Sequence, residues 1–203
     1  MALESVTNGV IENLCVFCGS SRGEDSRYAE AARELGRLMT ERGYGLVYGG
    51  GRVGLMGEIA SAVLEAGGQA VGVIPEALLK REVGHGALTR LEVVDSMHTR
   101  KARMAELADG FIAMPGGFGT FEEWFEIITW AQLGIHDKPC VLLNVAGYFD
   151  PLLELIAHAV DERFIRAEHR RLFAVAETPA KVLDCVAAFE PAAGEQWLSR
   201  SQT

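Results

Sequence analysis

The sequence predicts an α/β protein: a doubly wound, mainly parallel sheet of about seven strands with helices on both faces, Rossmann-like, in a single domain. Three observations lead there. Short, continuously apolar runs alternate with helix-length segments along the whole chain, which is the pattern of strands covered on both faces and joined by crossover helices. The chain has 203 residues, enough for one sizeable core. Three of the apolar runs end in clusters of small residues: Gly19-Ser20-Ser21, Gly49-Gly50-Gly51 and Pro115-Gly116-Gly117. If those strands are neighbours, their tips form one cleft at the edge where such sheets bind ligands.

The elements follow in order. Residues 14–18 form the first strand, and the Gly-Ser-Ser tip leads into a helix over 26–42. Strand 46–48 runs into the glycine trio and a helix over 54–65. Strand 70–74 stops at Pro75, and strand 91–94 precedes a helix over 97–108 in which Met97, Met104 and Leu107 share a core face. Strand 110–114 leads through the Pro-Gly-Gly turn to a helix over 121–133. Strand 140–144 precedes a helix over 149–162. Strand 173–176 precedes a helix over 178–189 that opens Thr178-Pro179, an N-cap followed by proline at the first helical position. The domain spans 10–190. Residues 1–9 and 191–203 are expected to fray.

Hydrophobic content of 49% and charged content of 23% are those of an ordinary globular protein. A net charge of −9 argues against a general nucleic-acid or membrane-surface binder. Residues 1–9 lack an apolar signal core, and no apolar run approaches the ~18 residues of a membrane span. With four free cysteines, this points to a cytoplasmic protein. Cys15 and Cys18 form a C-x-x-C, but inside a strand and with no second ligand pair. They read as small core hydrophobes, and neither a metal nor a cofactor is expected.

The densest signal is Pro115-Gly116-Gly117-Phe118-Gly119-Thr120-Phe121-Glu122-Glu123. A strand, a glycine turn and a helix N-terminus make an anion site, because free amides point at a group that the glycines allow close. Thr120 adds a hydroxyl, and Glu122 and Glu123 are placed in the first helical turn. Those carboxylates either serve the helix dipole or face a sugar, where one can stabilise an oxocarbenium-like transition state or orient water. Gly49-Gly50-Gly51-Arg52-Val53-Gly54 matches G-x-G-x-x-G literally, with only Glu76 to supply the later acidic residue. It reads as a dinucleotide site, a general phosphate contact or a tight turn. Arg100, Lys101 and Arg103 crowd a helix start, where cations oppose the dipole. They form either a solvated face or an anion-binding group, and His98 is either structural or catalytic. The helix over 121–133 is apolar almost all round, so a second subunit is expected to cover one face, giving a homodimer.

These residues resemble the Lonely Guy family, the cytokinin riboside 5′-monophosphate phosphoribohydrolases. The 115–123 run fits the family's P-G-G-x-G-T-x-x-E signature, and Met97-His98-Thr99-Arg100-Lys101 fits M-H-x-R-K. Cys-Gly-Ser-Ser, Tyr-Gly-Gly-Gly, Val-Ile-Pro and Ile-Thr-Trp-Ala-Gln-Leu-Gly-Ile-His-Asp-Lys-Pro extend the likeness from about residue 15 onward. Phe118 and Phe121 fill positions that are often Tyr and Leu. The resemblance implies hydrolysis of the N-glycosidic bond of N6-substituted AMP, releasing free base and ribose 5-phosphate without a cofactor. It implies Arg100 and Glu123 as catalytic residues. It implies substrate contacts at Glu82, Lys101, Gly116, Gly117, Phe118, Gly119, Thr120, Phe121, Glu122 and Thr129, and the small-residue strand tips add Gly19, Ser20, Gly50 and Gly51 as further candidate contacts. The alternatives are a broader AMP or nucleoside-monophosphate hydrolase and a non-catalytic nucleotide or cofactor carrier. Relatives are sometimes labelled lysine decarboxylases, a reaction needing a pyridoxal phosphate lysine, for which Lys101 is the nearest candidate.

Overall fold

A computed structural model describes residues 11–79 and 88–191. Its elements are β1 (Asn13–Phe17), α1 (Ser26–Glu41), β2 (Gly45–Tyr48), α2 (Gly54–Glu65), β3 (Ala70–Pro75), α3 (Glu76–Leu79), β4 (Arg90–Val94), α4 (Met97–Leu107), β5 (Gly110–Ala113), α5 (Phe118–Gln132), β6 (Cys140–Leu143), α6 (Asp150–Asp161), β7 (Ala174–Ala176) and α7 (Pro179–Ala187). The predicted alternation holds throughout. Missed were the four-residue α3 and the 3-10 turns Val145–Gly147 and Ala167–Leu172, all too short to show a hydrophobic period. Of the stretches expected to fray, only Pro191 lies within the described residues.

All seven strands pair in parallel, in the order β4-β3-β2-β1-β5-β6-β7. The chain winds outward from the central β1 to β4. Then α4 carries it back across the sheet, and β5 joins the other side of β1. The winding therefore reverses between β1 and β5, where the strand tips diverge and a doubly wound sheet opens its ligand crevice.

The alternation of side chains along each strand builds two cores. Leu14, Val16, Leu46, Tyr48, Ile112 and Leu143 face the layer of α1, α2 and α7, against Leu35, Met39, Ile59 and Val182. Cys15, Phe17, Val47, Phe111, Ala113 and Leu142 face the layer of α4 and α5, against Met104, Trp124 and Ile127. Cys15, Cys18 and Cys140 are buried free thiols whose pKa values burial pushes upward, as small core hydrophobes should be. Asp25, Ser96 and Thr178 cap α1, α4 and α7 by accepting the backbone N–H of Arg27, Thr99 and Lys181. Met104 packs as expected, but Met97 is 43% exposed. Its sulfur lies 3.8 Å from Arg100 Nη1.

Candidate active site

The three small-residue tips sit side by side because β2, β1 and β5 are neighbours. The Gly19 amide donates to the Pro115 carbonyl at 3.0 Å, which ties the β1 tip to the β5 tip. Beyond this tie the chain turns at Gly116 and Gly117 and enters α5.

That helix begins at Phe118, three residues earlier than its sequence pattern indicates. The difference is a correction with a physical cause: Gly119 is a poor helix former, so propensity argues against residues that the tertiary context winds into the first turn. Gly119 and Thr120 therefore lie within the helix, and Glu122 and Glu123 occupy its second turn rather than its first. A 100° step per residue sorts the side chains into two stripes. Thr120, Trp124 and Ile127 are buried, with Glu123 beside them. Phe118, Glu122, Phe125 and Thr129 form the opposite, exposed stripe. Burial of Trp124 and Ile127, worth roughly 2–3 kcal/mol each, pins the inner stripe to the sheet.

The two adjacent glutamates thus meet different environments. Glu122 is exposed and paired with Lys101. Glu123 is half-buried and has no hydrogen-bond or ion-pair partner among the described residues. Burial pushes its pKa up to about 7; Arg100 pulls it back down, while Glu122 pushes it further up. A half-buried carboxylate with no partner among the described residues is available to a ligand.

Arg100 is 7% exposed and reaches under the sheet edge. Its Nε donates to the Val73 carbonyl at 3.1 Å and its Nη2 to the Gly49 carbonyl at 3.1 Å. These bonds hold the guanidinium flat and leave further N–H donors for the cleft. Its neighbours in the sequence go elsewhere. Lys101 bridges α4 to α5 through Glu122 and through Glu126 at 3.0 Å. Burial lowers its pKa, but the two carboxylates outweigh that and the net shift is upward. Arg103 pairs with Glu92 at 2.7 Å and with Glu106 at 3.0 Å. The solvated-face reading fails for Arg100 and Lys101, which are held by carbonyls and carboxylates. His98 is exposed.

The G-x-G-x-x-G match is explained by packing. A Cβ at Gly49 would lie 2.0 Å from Arg100 Nη2, and one at Gly54, where φ is +60°, would lie 2.2 Å from the Ser20 carbonyl carbon. Gly50 has φ +76° and packs against Ile74 and Leu91. Gly50 and Gly51 are buried. Gly117 and Gly119 are the opposite case: a Cβ at either would meet nothing within 4 Å. Those positions border open space.

Of the residues singled out from sequence, Gly19, Gly116, Gly117, Gly119, Thr120, Arg100 and Glu123 gather around the β1–β5 tips. Ser20 is exposed beside them. Thr129 is exposed, donates its hydroxyl to the Phe125 carbonyl at 2.7 Å and stands about 16 Å along the helix from Phe118. Glu82 lies outside the described residues. Sequence reasoning passed over Tyr148, whose hydroxyl donates to the Gly116 carbonyl. The only local signal was the Asn144-to-Gly147 loop that follows β6.

Residues 56–186 match a family model described as "Possible lysine decarboxylase". The chain is 51% identical over 170 residues to the cytokinin riboside 5′-monophosphate phosphoribohydrolase LOG of Oryza sativa subsp. japonica, covering 84% of this chain and 70% of that one. It is 49% identical over 185 residues to the cytokinin riboside 5′-monophosphate phosphoribohydrolase LOG7 of Arabidopsis thaliana, covering 91% and 85%. Among solved structures, the molybdenum cofactor carrier protein of Chlamydomonas reinhardtii superposes with a TM-score of 0.65, covering 87% of this chain and 96% of that one. At 23% identity this is a likeness of fold.

Proposed function

This chain belongs to the Lonely Guy family, and from that premise we propose that it hydrolyses the N-glycosidic bond of N6-substituted AMP, releasing the free base and ribose 5-phosphate. The observation that carries the reading is Glu123: a half-buried carboxylate with no partner among the described residues, one helical turn beyond a helix N-terminus that none of them caps, and close to a buried arginine.

The 5′-phosphate sits on the first amides of α5, in the open space above Gly117 and Gly119. The ribose then points from the phosphate towards Glu123, at the margin of the buried stripe. As the C1′–N9 bond breaks, its electron pair leaves with the base and positive charge grows on the ring. The Glu123 carboxylate stabilises that charge or orients the incoming water. The water oxygen bonds to C1′ and a proton passes to the departing base. Arg100, fixed by two carbonyls, holds the substrate in register beside Glu123 and supports the developing negative charge on the base.

Lysine decarboxylation, the reaction named in the family model's description, is disfavoured by Lys101. A Schiff-base lysine needs a lowered pKa, whereas Lys101 is engaged by two carboxylates and shifted upward.

The protein is read as a cytoplasmic homodimer acting on a small nucleotide. No helix among the described residues is long and apolar enough to cross a membrane. Support for the dimer comes from the outer stripe of α5, where Phe118 is 92% and Phe125 42% exposed. Thr129, on that stripe, is too far from its own glycine turn to meet a substrate held there. As a substrate contact it would serve the partner's cleft.

The test is purified protein with N6-isopentenyl-AMP and with AMP, following free base and ribose 5-phosphate. Binding without turnover of either nucleotide sinks the reading. Faster turnover of AMP would replace it with the broader hydrolase.

A further inference from the structure

The loop between β6 and α6 is more tightly determined than a connector needs to be. Asn144 is buried; its Oδ1 accepts the Phe149 amide at 2.7 Å, and its Nδ2 donates to Asp150 Oδ1 at 2.7 Å. Ala146 at φ 55° and Gly147 at φ +73° are consecutive left-handed residues. For alanine that conformation is unfavourable, and it persists only where the surroundings enforce it. The result is a fixed position for Tyr148. Its ring stands edge-on to Tyr28, with centroids 5.7 Å apart, and to Phe149 at 5.0 Å. Its hydroxyl donates to the Gly116 carbonyl.

That carbonyl has a particular place in the backbone. In α5 the first amide with a backbone partner is Phe121, which donates to the Gly117 carbonyl at 3.1 Å. Another turn of helix would engage the amides of Gly119 and Thr120 with the carbonyls of Pro115 and Gly116. Both carbonyls are claimed from outside the helix. The Pro115 oxygen accepts from the Gly19 amide, and the Gly116 oxygen accepts from Tyr148. Among the described residues no side chain caps this helix. Among them, too, the amides of Gly119 and Thr120 have no acceptor, because the extended backbone of Gly117, at φ −98° and ψ −153°, ends the helix there. Because the peptide is planar and trans, holding the Gly116 C=O also aims the Gly117 N–H in the opposite direction.

We propose that Tyr148 is a positioning residue for the substrate's 5′-phosphate: it holds the Gly116 peptide out of helical alignment, so that the first amides of α5 remain free and pre-aimed at the anion. This rests on the reading given under Proposed function. It assigns Tyr148 no contact with the reacting bond, so its loss acts on phosphate recognition rather than on the chemical step.

The experiment compares wild type with Tyr148→Phe, which removes one oxygen and keeps the ring packing. N6-isopentenyl-AMP, the riboside lacking phosphate and product inhibition by ribose 5-phosphate are measured in parallel. The expected result is a KM for the nucleotide raised roughly tenfold, ribose 5-phosphate inhibition weakened by a similar factor, and kcat and riboside hydrolysis near wild type. Unchanged phosphate preference overturns the proposal, as does an equal loss on nucleotide and riboside, which is what a structural role produces. Tyr148→Met, without a donor, gives the same reading should Phe not fold. A wild type inactive on all nucleotides refutes the functional reading instead. Calorimetry of ribose 5-phosphate binding to wild type and Tyr148→Phe then still decides the role of Tyr148.

Discussion

Arg100 Nη2 donates to the Gly49 carbonyl at 3.1 Å, and a methyl group on Gly49 would lie 2.0 Å from the same nitrogen. The glycine is a seat for the guanidinium. A sequence motif that looks like a nucleotide fingerprint is, at this position, a recess shaped for an arginine.

Gly49→Ala should therefore act as an Arg100 variant. The methyl displaces the guanidinium, and kcat falls by about a hundredfold or more, as when a preorganised donor is removed. The fold loses about 1–3 kcal/mol from overpacking. Steady-state kinetics and a thermal melt check both. Near-normal kcat in a folded Gly49→Ala would uncouple the two residues.

The neighbouring glutamates should separate cleanly. Glu123→Gln should lower kcat/KM by roughly 10²–10⁴. Glu122→Gln removes only an exposed partner of Lys101, a loss of about 0–1 kcal/mol in stability, and turnover stays close to wild type. Comparable losses in both variants would contradict the two-stripe assignment.

The pH dependence follows from Glu123, whose pKa burial raises from 4.5 to about 7. A carboxylate that must be ionised to act gives a kcat/KM rising with pH through about 7, and Glu123→Gln should remove that limb. Stability runs the other way. With the folded pKa above the unfolded one, the stabilising contribution is complete below 4.5 and lost as pH rises through about 7. Glu123→Gln should thus raise Tm over wild type at pH 8, and the advantage should vanish towards pH 4. Melts across the range test the sign.

Gly119→Ala should separate fold from function. It lies in α5, and a Cβ there meets nothing within 4 Å. The fold should be unharmed or gain up to about 1 kcal/mol in helix propensity. The methyl projects into the space assigned to the phosphate, so KM for the nucleotide should rise more than about tenfold while the riboside is little affected. Wild-type KM would place the phosphate elsewhere.

Phe118→Asp with Phe125→Asp should shift sedimentation from dimer to monomer without changing the circular dichroism, since both rings lie on the exposed stripe of α5. A wild type that sediments as a monomer would remove the role given to that stripe.

The sheet was legible because most strands are short apolar runs with glycine or proline nearby. The glycine turn that leads into α5 was legible because its residues are adjacent in sequence. What was hidden depends on neighbours distant in the chain. The helix starting at Phe118 hides behind Gly119. The difference between Glu122 and Glu123 is a matter of 100° on a helix whose inner face is defined by the sheet. Tyr148 has its partner 32 residues away, and only the Asn144-to-Gly147 loop before it hints at a role.

The strand order also has a bearing on how the chain becomes a protein. β1 is paired on one side by β2, but its other side waits for β5, with Leu14 against Gly110. As the polypeptide emerges from the ribosome, the first four strands can assemble while the central strand keeps a bare, apolar margin. Closing that margin requires a long-range contact, which is slow to form and is exposed to aggregation in the interim. That seam is the one beside which the proposed substrate cleft lies, and β6 and β7 add to the sheet after it. A chain that has not yet paired β1 with β5 therefore lacks the proposed site, and the bare edge of β1 is that site's future floor.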